Sequence, residues 1–231
     1  QGEGGQMFVD NSVIRLDQFY GIELLDFPHE VAMLSLWLAE HQMNTKLNEE
    51  FGVNTKALPL KNITQIVCGN ACRLDWNVVC PHTKDEEVFV FGNPPYLGSK
   101  LQSIEQKNDI SAAFYGINNC RILDYICCWF IYGTLYIKES NAKFAFVTTN
   151  SICQGEQVGV LWPALLNNNV EILFAHKSFK WSNNAKYNAG VTCVIIGVGN
   201  MDNKCPKKIF DNNHSIYVNY INPYLIPNIR T

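Results

Sequence analysis

The chain has 231 residues, of which 47% are hydrophobic and 17% charged, so it is long and apolar enough to bury a full core, and its length predicts one globular domain rather than two. The formal net charge of −3 gives none of the overall basic surface that a protein binding nucleic acid by itself often shows. The cysteines include no CxxC pair, so no metal site is predicted, and we interpret them as reduced thiols in a cytoplasmic protein. No apolar run reaches the roughly 18 residues that cross a bilayer, so no contact with a membrane is expected.

Strand-like runs alternate with helical segments along the chain, which predicts an α/β fold with a mostly parallel sheet. The predicted strands are 18–23, 64–68, 87–92, 142–148, 170–176 and 191–198. Helices are predicted at 27–44, 120–138 and 156–167 from apolar residues at helical spacing. The last two strands are joined by a polar segment, which predicts a terminal antiparallel hairpin with a long loop. Residues 1–199 are predicted to form the core, and 200–231, rich in Asn, Lys and Pro, a connector.

A rigid polar loop follows the buried strand at 88–92 and has the sequence Asn93-Pro94-Pro95-Tyr96. Open α/β sheets bind their ligands at such carboxyl ends of strands. Pro94 and Pro95 have no backbone N–H, so the loop offers two acceptors, the side-chain oxygen of Asn93 and the carbonyl of Pro94. The sequence therefore predicts a site that receives an NH₂ group.

An exocyclic aromatic amine needs such a site because its lone pair is delocalised into the ring. Hydrogen bonds to both N–H groups favour a pyramidal nitrogen and stabilise the positive charge that develops during methyl transfer. The ring of Tyr96 can stack on a base that has been turned out of the duplex. The same four residues also suit an ordinary Pro-rich turn after a strand, so the tetrapeptide alone leaves that alternative open.

The tetrapeptide resembles the signature (N/D/S)-P-P-(Y/F/W) of the amino-group DNA methyltransferases. This resemblance implies a Rossmann-like, S-adenosylmethionine-dependent methyltransferase fold. It also implies that Asn93, Pro94, Pro95 and Tyr96 are catalytic, that Asn93 also lies in the cofactor site, and that adenine N6 is the acceptor.

Two further segments resemble cofactor motifs of the same family. Residues 20–24 resemble the second-strand motif, which implies that Glu23 binds the ribose of the cofactor. Residues 69–76 resemble the next motif, which implies that Asp75 contacts the cofactor adenine. Either acid taken alone is more often a solvated loop residue. The family's Gly-rich first motif is absent and is expected upstream of Gln1.

A late motif is recognised at residues 174–185, where the family places an aromatic side chain against the flipped base. Phe179 and Trp181 both suit this role, and Trp181 is preferred, although the spacing does not decide between them. The alternative is that both are hairpin aromatics packed on the core.

Residues 2–7 and 27–32 are similar to segments of the large single-chain restriction-modification enzymes. That similarity implies double-stranded DNA with a flipped adenine as the partner, a recognition region elsewhere in the parent chain, with or without a nuclease region, and a bacterial, cytoplasmic location. Base contacts are expected mainly from a recognition region after Thr231.

Other readings of the function stay open. Cytosine N4, an RNA base or a glutamine side chain in a protein are alternative acceptors for the same tetrapeptide, and the chain could also bind DNA or a partner without catalysis. Methylation at cytosine C5 is disfavoured because it needs a Pro-Cys nucleophile, which this sequence lacks. Six lysines are candidates for DNA phosphates, although a solvated basic face is favoured for the last three. They are Lys177, Lys180, Lys186, Lys204, Lys207 and Lys208.

Overall fold

The computed structural model describes residues 14–52, 65–180, 192–202 and 206–228, and the chain divides into two compact units, Gln1–Pro81 and His82–Thr231. In the first unit, strand β1 (Gly21–Glu23) pairs in parallel with β2 (Ile66–Cys68). Helix α1 (Asp26–Phe51) lies between them in the chain, and the short α2 (Trp76–Val79) follows. The 3-10 turn Leu16–Gln18 occupies the start of the predicted strand 18–23.

Helix α1 confirms the predicted first helix but continues for two further turns. The residues after Asn44 include no Gly or Pro until Gly52, where the backbone turns left-handed with φ 66. There the Gly52 N–H donates to the Asn48 carbonyl at 2.8 Å and ends the helix. Near the start of the helix, His29 Nε2 lies 2.9 Å from the Ile66 carbonyl oxygen and ties α1 to β2.

The second unit is built on a six-stranded sheet in the order β3-β4-β6-β5-β7-β8. The strands are β3 (Phe89–Gly92), β4 (Lys143–Thr149), β5 (Val170–Lys180), β6 (Thr192–Asn200), β7 (Lys207–Asp211) and β8 (His214–Val218). Strands β3, β4, β5 and β7 run in one direction, whereas β6 and β8 run against them. The predicted antiparallel hairpin is the pair β5–β6. Its predicted terminal position is wrong, because β7 and β8 follow it in the chain and both of its strands lie inside the sheet.

The sheet extends beyond residue 199, where the sequence analysis predicted only a connector. Strand β7 pairs in parallel with β5, and β8 closes the sheet as an antiparallel partner of β7. The turn between β7 and β8 includes Asn212 at φ 49, a conformation that Asn tolerates better than most residues. Lys207 is buried in this region against Glu171, which lies on β5, so a charged residue stands where the pattern of a strand normally shows an apolar one.

Three helices belong to the second unit, α3 (Ile104–Ala113), α4 (Cys127–Tyr136) and α5 (Glu156–Leu166). The core is centred on Phe130 of α4, which is fully buried. Its ring meets Phe144 and Phe146 of β4 edge to face, with centroids 5.8 and 5.6 Å away, and Trp162 of α5 at 6.3 Å. Burying one such ring stabilises the fold by about 1.5–3 kcal/mol.

The helix predicted at 120–138 is wrong at its start. Residues Cys120–Ile122 form a separate 3-10 turn, and the α-helix begins at Cys127. Between the two, Leu123 is extended and the Asp124 carboxylate accepts a hydrogen bond from the Ile126 N–H at 3.2 Å. A side chain that binds the backbone in this way competes with a continuous helix.

Within the described ranges, no helix combines the length and the apolar character needed to span a bilayer.

Candidate active site

The tetrapeptide Asn93–Tyr96 follows directly after β3. Gly92, the last residue of β3, pairs with Phe146 on the parallel strand β4, so the loop leaves the carboxyl edge of the sheet. Pro94 is buried, whereas Asn93 and Pro95 are exposed and Tyr96 is half-buried. The loop is therefore anchored through Pro94 and presents Asn93 to solvent.

Tyr96 reaches across the sheet edge to Cys193. Its hydroxyl and the Cys193 thiol are within hydrogen-bonding contact, and burial, followed by this neighbour, raises the pKa of Tyr96. Burial also raises the pKa of Cys193. Cys193 lies on β6 and pairs with Thr149 of β4 on one side and with Phe179 of β5 on the other. The structure thus brings two of the predicted site residues, Tyr96 and Phe179, to positions around Cys193.

Phe179 belongs to a row of rings on the sheet. It meets His176 edge to face at 5.9 Å, and His176 in turn lies parallel to Phe210 at 5.2 Å. Phe179 remains half-buried, so one part of the ring packs on the sheet and the other faces outward. Trp181 lies outside the described residues, and the preference for Trp181 over Phe179 stays a prediction.

Glu23 and Asp75 both lie in the first unit. Glu23 is the last residue of β1, where it is half-buried and its carbonyl accepts the Gly69 N–H at 2.7 Å. Asp75 follows β2 in an exposed position. Because β1 and β2 are parallel neighbours, Glu23 ends β1 at the edge where β2 also ends, and Asp75 comes later, at the start of α2.

Asp75 also has a structural role that the sequence analysis missed. It is the N-cap of α2, and its Oδ1 accepts the Asn77 N–H at 2.9 Å. The capping bond leaves the second oxygen of the carboxylate as a further acceptor. An Asp immediately before a helix is a known capping signal, so the sequence did contain this information.

The residue after the tetrapeptide is held by a polar network that the sequence analysis also missed. The Leu97 N–H donates to Asp124 Oδ1 at 2.7 Å. The Leu97 carbonyl accepts from the Tyr125 N–H at 3.0 Å and from Gln102 Nε2 at 2.8 Å. The available signal was Asp124 itself, a lone acid at the start of a long apolar run.

A cavity of about 320 Å³ opens at the same sheet edge and includes Val194, the neighbour of Cys193. Its polar lining includes Asn150, Gln154, Lys177 and Asp211. Lys177 Nζ is paired with Asp211 Oδ2 at 3.2 Å.

The lysines proposed for DNA contact differ in their surroundings. Lys180 is exposed. Lys208 Nζ lies over the rings of Phe210 and Tyr217, at 4.7 and 5.1 Å from their centroids. Lys207 is only 2% exposed and pairs with Glu171 at 2.9 Å, so both readings of Lys207, as a phosphate contact and as a solvated residue, are wrong. Lys186 and Lys204 lie outside the described residues.

One group of side chains in the first unit has the composition of a metal site. Ligand atoms of Asp26, His29 and Glu30 lie within 4.8 Å of one another. Asp26 and Glu30 are exposed, and His29 already holds the Ile66 carbonyl. We therefore assign this group to the junction of α1 with β2.

The fold and the loop define a class of protein. The chain has a Rossmann-like methyltransferase fold of mixed α/β type, with the tetrapeptide at the carboxyl edge of the sheet.

Comparison with known proteins identifies the family. The model of the family described as "MmeI, DNA-methyltransferase domain" matches residues 4–211, so the chain belongs to this family. It is 52% identical over 213 residues to DNA methyltransferase A of Bacillus subtilis (strain 168). The matched region covers 92% of this chain and 24% of that protein. The predicted resemblance to restriction-modification methyltransferases is confirmed.

A solved structure shows the same fold. The structure described as Type IIL restriction-modification enzyme MmeI in complex with DNA superposes with a TM-score of 0.88 and 39% identity, over 100% of this chain and 32% of that chain. The chain thus spans about a quarter to a third of the length of these two relatives.

Proposed function

We propose that this chain is the catalytic part of an enzyme that methylates the exocyclic N6 amine of adenine in double-stranded DNA, with S-adenosylmethionine as methyl donor, in a restriction-modification system. The observation that carries the proposal is the loop at the end of β3, where a buried Pro94 fixes the backbone and leaves Asn93 exposed. Membership of the DNA-methyltransferase family supports DNA as the substrate.

The loop acts on the amine through its two acceptors. The Asn93 side-chain oxygen and the Pro94 carbonyl take one N–H each, which turns the nitrogen lone pair away from the ring and toward the methyl group. The same two oxygens stabilise the positive charge on nitrogen in the transition state. Removing one preorganised hydrogen-bonding group of this kind typically costs about 10²–10³ in kcat.

The target base must leave the duplex before the loop can reach its amine. The half-buried ring of Tyr96 offers it a face on which to stack. Phe179, which pairs across the sheet with the Cys193 that Tyr96 contacts, is the second aromatic at this edge. The neighbouring cavity of about 320 Å³ has the volume of a small-molecule site.

The residues in the first unit fit the donor. Carboxylates near the ends of neighbouring parallel strands suit the hydroxyl and amino groups of a nucleoside. Glu23 ends β1, and Asp75 caps the short helix α2 that follows the neighbouring strand β2. We assign Glu23 to the ribose and Asp75 to the adenine of the donor, and the contact of Asn93 with the donor stays a prediction. S-adenosylmethionine, when bound, supplies a methyl group on a sulfonium.

The remaining assignments concern the complete protein. Both relatives are several times longer than this chain, which leaves room for recognition and nuclease regions elsewhere. The DNA substrate and the bacterial relative support a cytoplasmic location. Cytosine N4 is the nearest alternative acceptor, because its amine is delocalised in the same way.

The test is methyl transfer from labelled S-adenosylmethionine by the complete protein, offered unmethylated DNA, RNA and protein separately. The label is expected on DNA, at adenine N6, and is expected to be lost in Asn93→Ala. Asn108→Ala is the matched control, because it removes another exposed Asn, from the surface of α3. Label on RNA or protein, or activity indifferent to Asn93, would overturn the proposal.

A further inference from the structure

The loop that carries the tetrapeptide has few backbone hydrogen bonds of its own to hold it. Pro94 and Pro95 donate none, so Tyr96 and Leu97 provide the first N–H groups after Asn93. Leu97 is bound at both ends of its peptide unit, through its N–H to Asp124 Oδ1 at 2.7 Å and through its carbonyl to Tyr125 N–H at 3.0 Å. Leu97 is therefore a fixed point immediately beyond the catalytic residues.

Asp124 connects this fixed point to the helical layer. It is 5% exposed, and its Oδ1 also accepts the Ile126 N–H at the start of α4. Its own N–H donates to Gln157 Oε1 on α5 at 2.8 Å. Asp124 thus joins the loop to two helices of the core, to α4 through its side chain and to α5 through its backbone N–H.

Gln102 also holds the peptide unit of Leu97, through its carbonyl. It is 6% exposed, and its Nε2 donates to the carbonyls of Leu97 and Leu123 at 2.8 and 2.9 Å. The segments around Leu97 and Asp124 are therefore bridged by both a side-chain acceptor and a side-chain donor.

From this geometry we propose that Asp124 is a positioning residue for methyl transfer, which fixes the orientation of the Asn93–Tyr96 loop through Leu97. The inference rests on the proposed function. A carboxylate that accepts backbone N–H groups makes stronger hydrogen bonds than a neutral acceptor. Burial raises the pKa of Asp124, whereas the hydrogen bonds from the Ile126 and Leu97 N–H groups act in the opposite direction.

The expected effect follows from the distance dependence of catalysis. A displacement of about 1 Å at the reacting groups can lower the rate about 10²-fold. Asp124→Ala removes the anchor, and we expect kcat to fall about 100-fold. Asp124→Asn keeps one acceptor oxygen for the Leu97 N–H, and we expect an intermediate kcat. Because Asp124 is buried and acts on the loop only through Leu97, we expect the KM for S-adenosylmethionine to change less than about threefold.

The experiment measures kcat, the KM for S-adenosylmethionine and the melting temperature of the complete protein. Asn200→Ala is the control, because the Asn200 side chain likewise makes two hydrogen bonds to the backbone, in this case as a donor to the carbonyls of Ile137 and Ser140 at 2.6 and 2.7 Å. Asn200 ends β6 next to the start of β4, at the sheet edge opposite the loop. We expect a lower melting temperature and an almost unchanged kcat in this control.

The inference fails if Asp124→Ala keeps the wild-type kcat, or if kcat falls equally in Asn200→Ala. If Asp124→Ala does not fold, Asp124→Asn decides: a kcat below that of Asn200→Ala supports positioning, and an equal kcat overturns it. A second check is Gln102→Met, whose effect on kcat should not add to that of Asp124→Asn, because both act on Leu97.

These outcomes are separate from a failure of the proposed function. Wild-type product at cytosine N4 would overturn the adenine assignment but leave the Asp124 comparison valid, because the same loop would hold the amine. A wild-type protein without any methyl transfer would overturn both.

Discussion

The buried ion pair between Lys207 and Glu171 allows a direct test of how β7 is held in the sheet. Both side chains are 2% exposed, and Lys207 Nζ lies 2.9 Å from Glu171 Oε1. The pair is also satisfied by the backbone of Asp202, whose carbonyl accepts from Lys207 Nζ at 2.7 Å and whose N–H donates to Glu171 Oε1 at 2.8 Å. Replacing Lys207 by Met leaves the Glu171 carboxylate buried without its counter-ion.

Breaking a buried pair from one side costs about 3–5 kcal/mol, whereas replacing both members by apolar residues is often close to neutral. We therefore expect Lys207→Met to lower the free energy of unfolding by about 3–5 kcal/mol. The double variant Lys207→Met with Glu171→Met should recover most of this loss. Lys177→Met is the control, because its pair with Asp211 has side chains 36% and 52% exposed and, being screened by solvent, should contribute about 0–1 kcal/mol.

The assay is urea-induced unfolding followed by tryptophan fluorescence, with the free energy extrapolated to water. The wild type, Lys207→Met, Glu171→Met, the double variant and Lys177→Met are compared in the same buffer, and the coupling energy is taken from the double-mutant cycle of the first four. A loss below about 1 kcal/mol for Lys207→Met, or additive effects in the double variant, would refute the view that this ion pair locks β7 to the sheet.

The remaining predictions concern titration and reactivity. Burial and Cys193 raise the pKa of Tyr96 above its usual 10.0, so the hydroxyl stays protonated and Tyr96→Phe should leave the alkaline side of the pH–rate profile unchanged. Tyr96→Ala removes the ring, and the rate of methyl transfer should show a loss of about 1–3 kcal/mol of base stacking. Burial raises the pKa of Cys153 to about 12, so iodoacetamide at pH about 8 should label the exposed Cys68 but leave Cys153 unlabelled until the protein unfolds, as checked by peptide mass spectrometry. Burial also raises the pKa of Asp124 above 3.8, so the folded state retains a proton that the unfolded state has lost. Stability should then fall as pH rises from about 3.8 through the raised value, and Asp124→Asn should remove this slope in unfolding measurements.

The sequence predicted those parts of the fold whose signals are local. Apolar runs bounded by polar residues predicted six strands at nearly the observed positions, and the polar segment between the last two predicted the hairpin β5–β6. The tetrapeptide was predicted at a strand end, which the parallel pairing of Gly92 with Phe146 confirms. These features follow from local patterns of apolar and polar residues in the sequence.

Other features depended on signals that were present but not used. Helix α3 begins with a capping box of Ser103 and Gln106, a sequence pattern that marks helix starts. Strands β7 and β8 were missed because Lys207 and the Asn-rich turn suggested a polar connector. The burial of Lys207 depends on Glu171, which lies on a strand distant in sequence.

The network around Leu97 was beyond sequence reasoning for a physical reason. Asp124 and Gln157 are distant in sequence from the loop that contains Leu97 and Gln102, and the bonds of Asp124 to Leu97 and to Gln157 exist only after tertiary packing. The single visible clue was that Asp124 interrupts an apolar run, and an acid in that place predicts a break or a partner without identifying either.

The central claim is that the Asn93 oxygen holds the reacting amine, and single-turnover methylation with excess complete protein tests it most directly. Asn93→Ala should lower the rate constant of methyl transfer about 10²–10³-fold, while Asn93→Asp and Asn93→Ser, which keep an acceptor oxygen, should retain part of it. Transfer by Asn93→Ala at the wild-type rate would contradict the account.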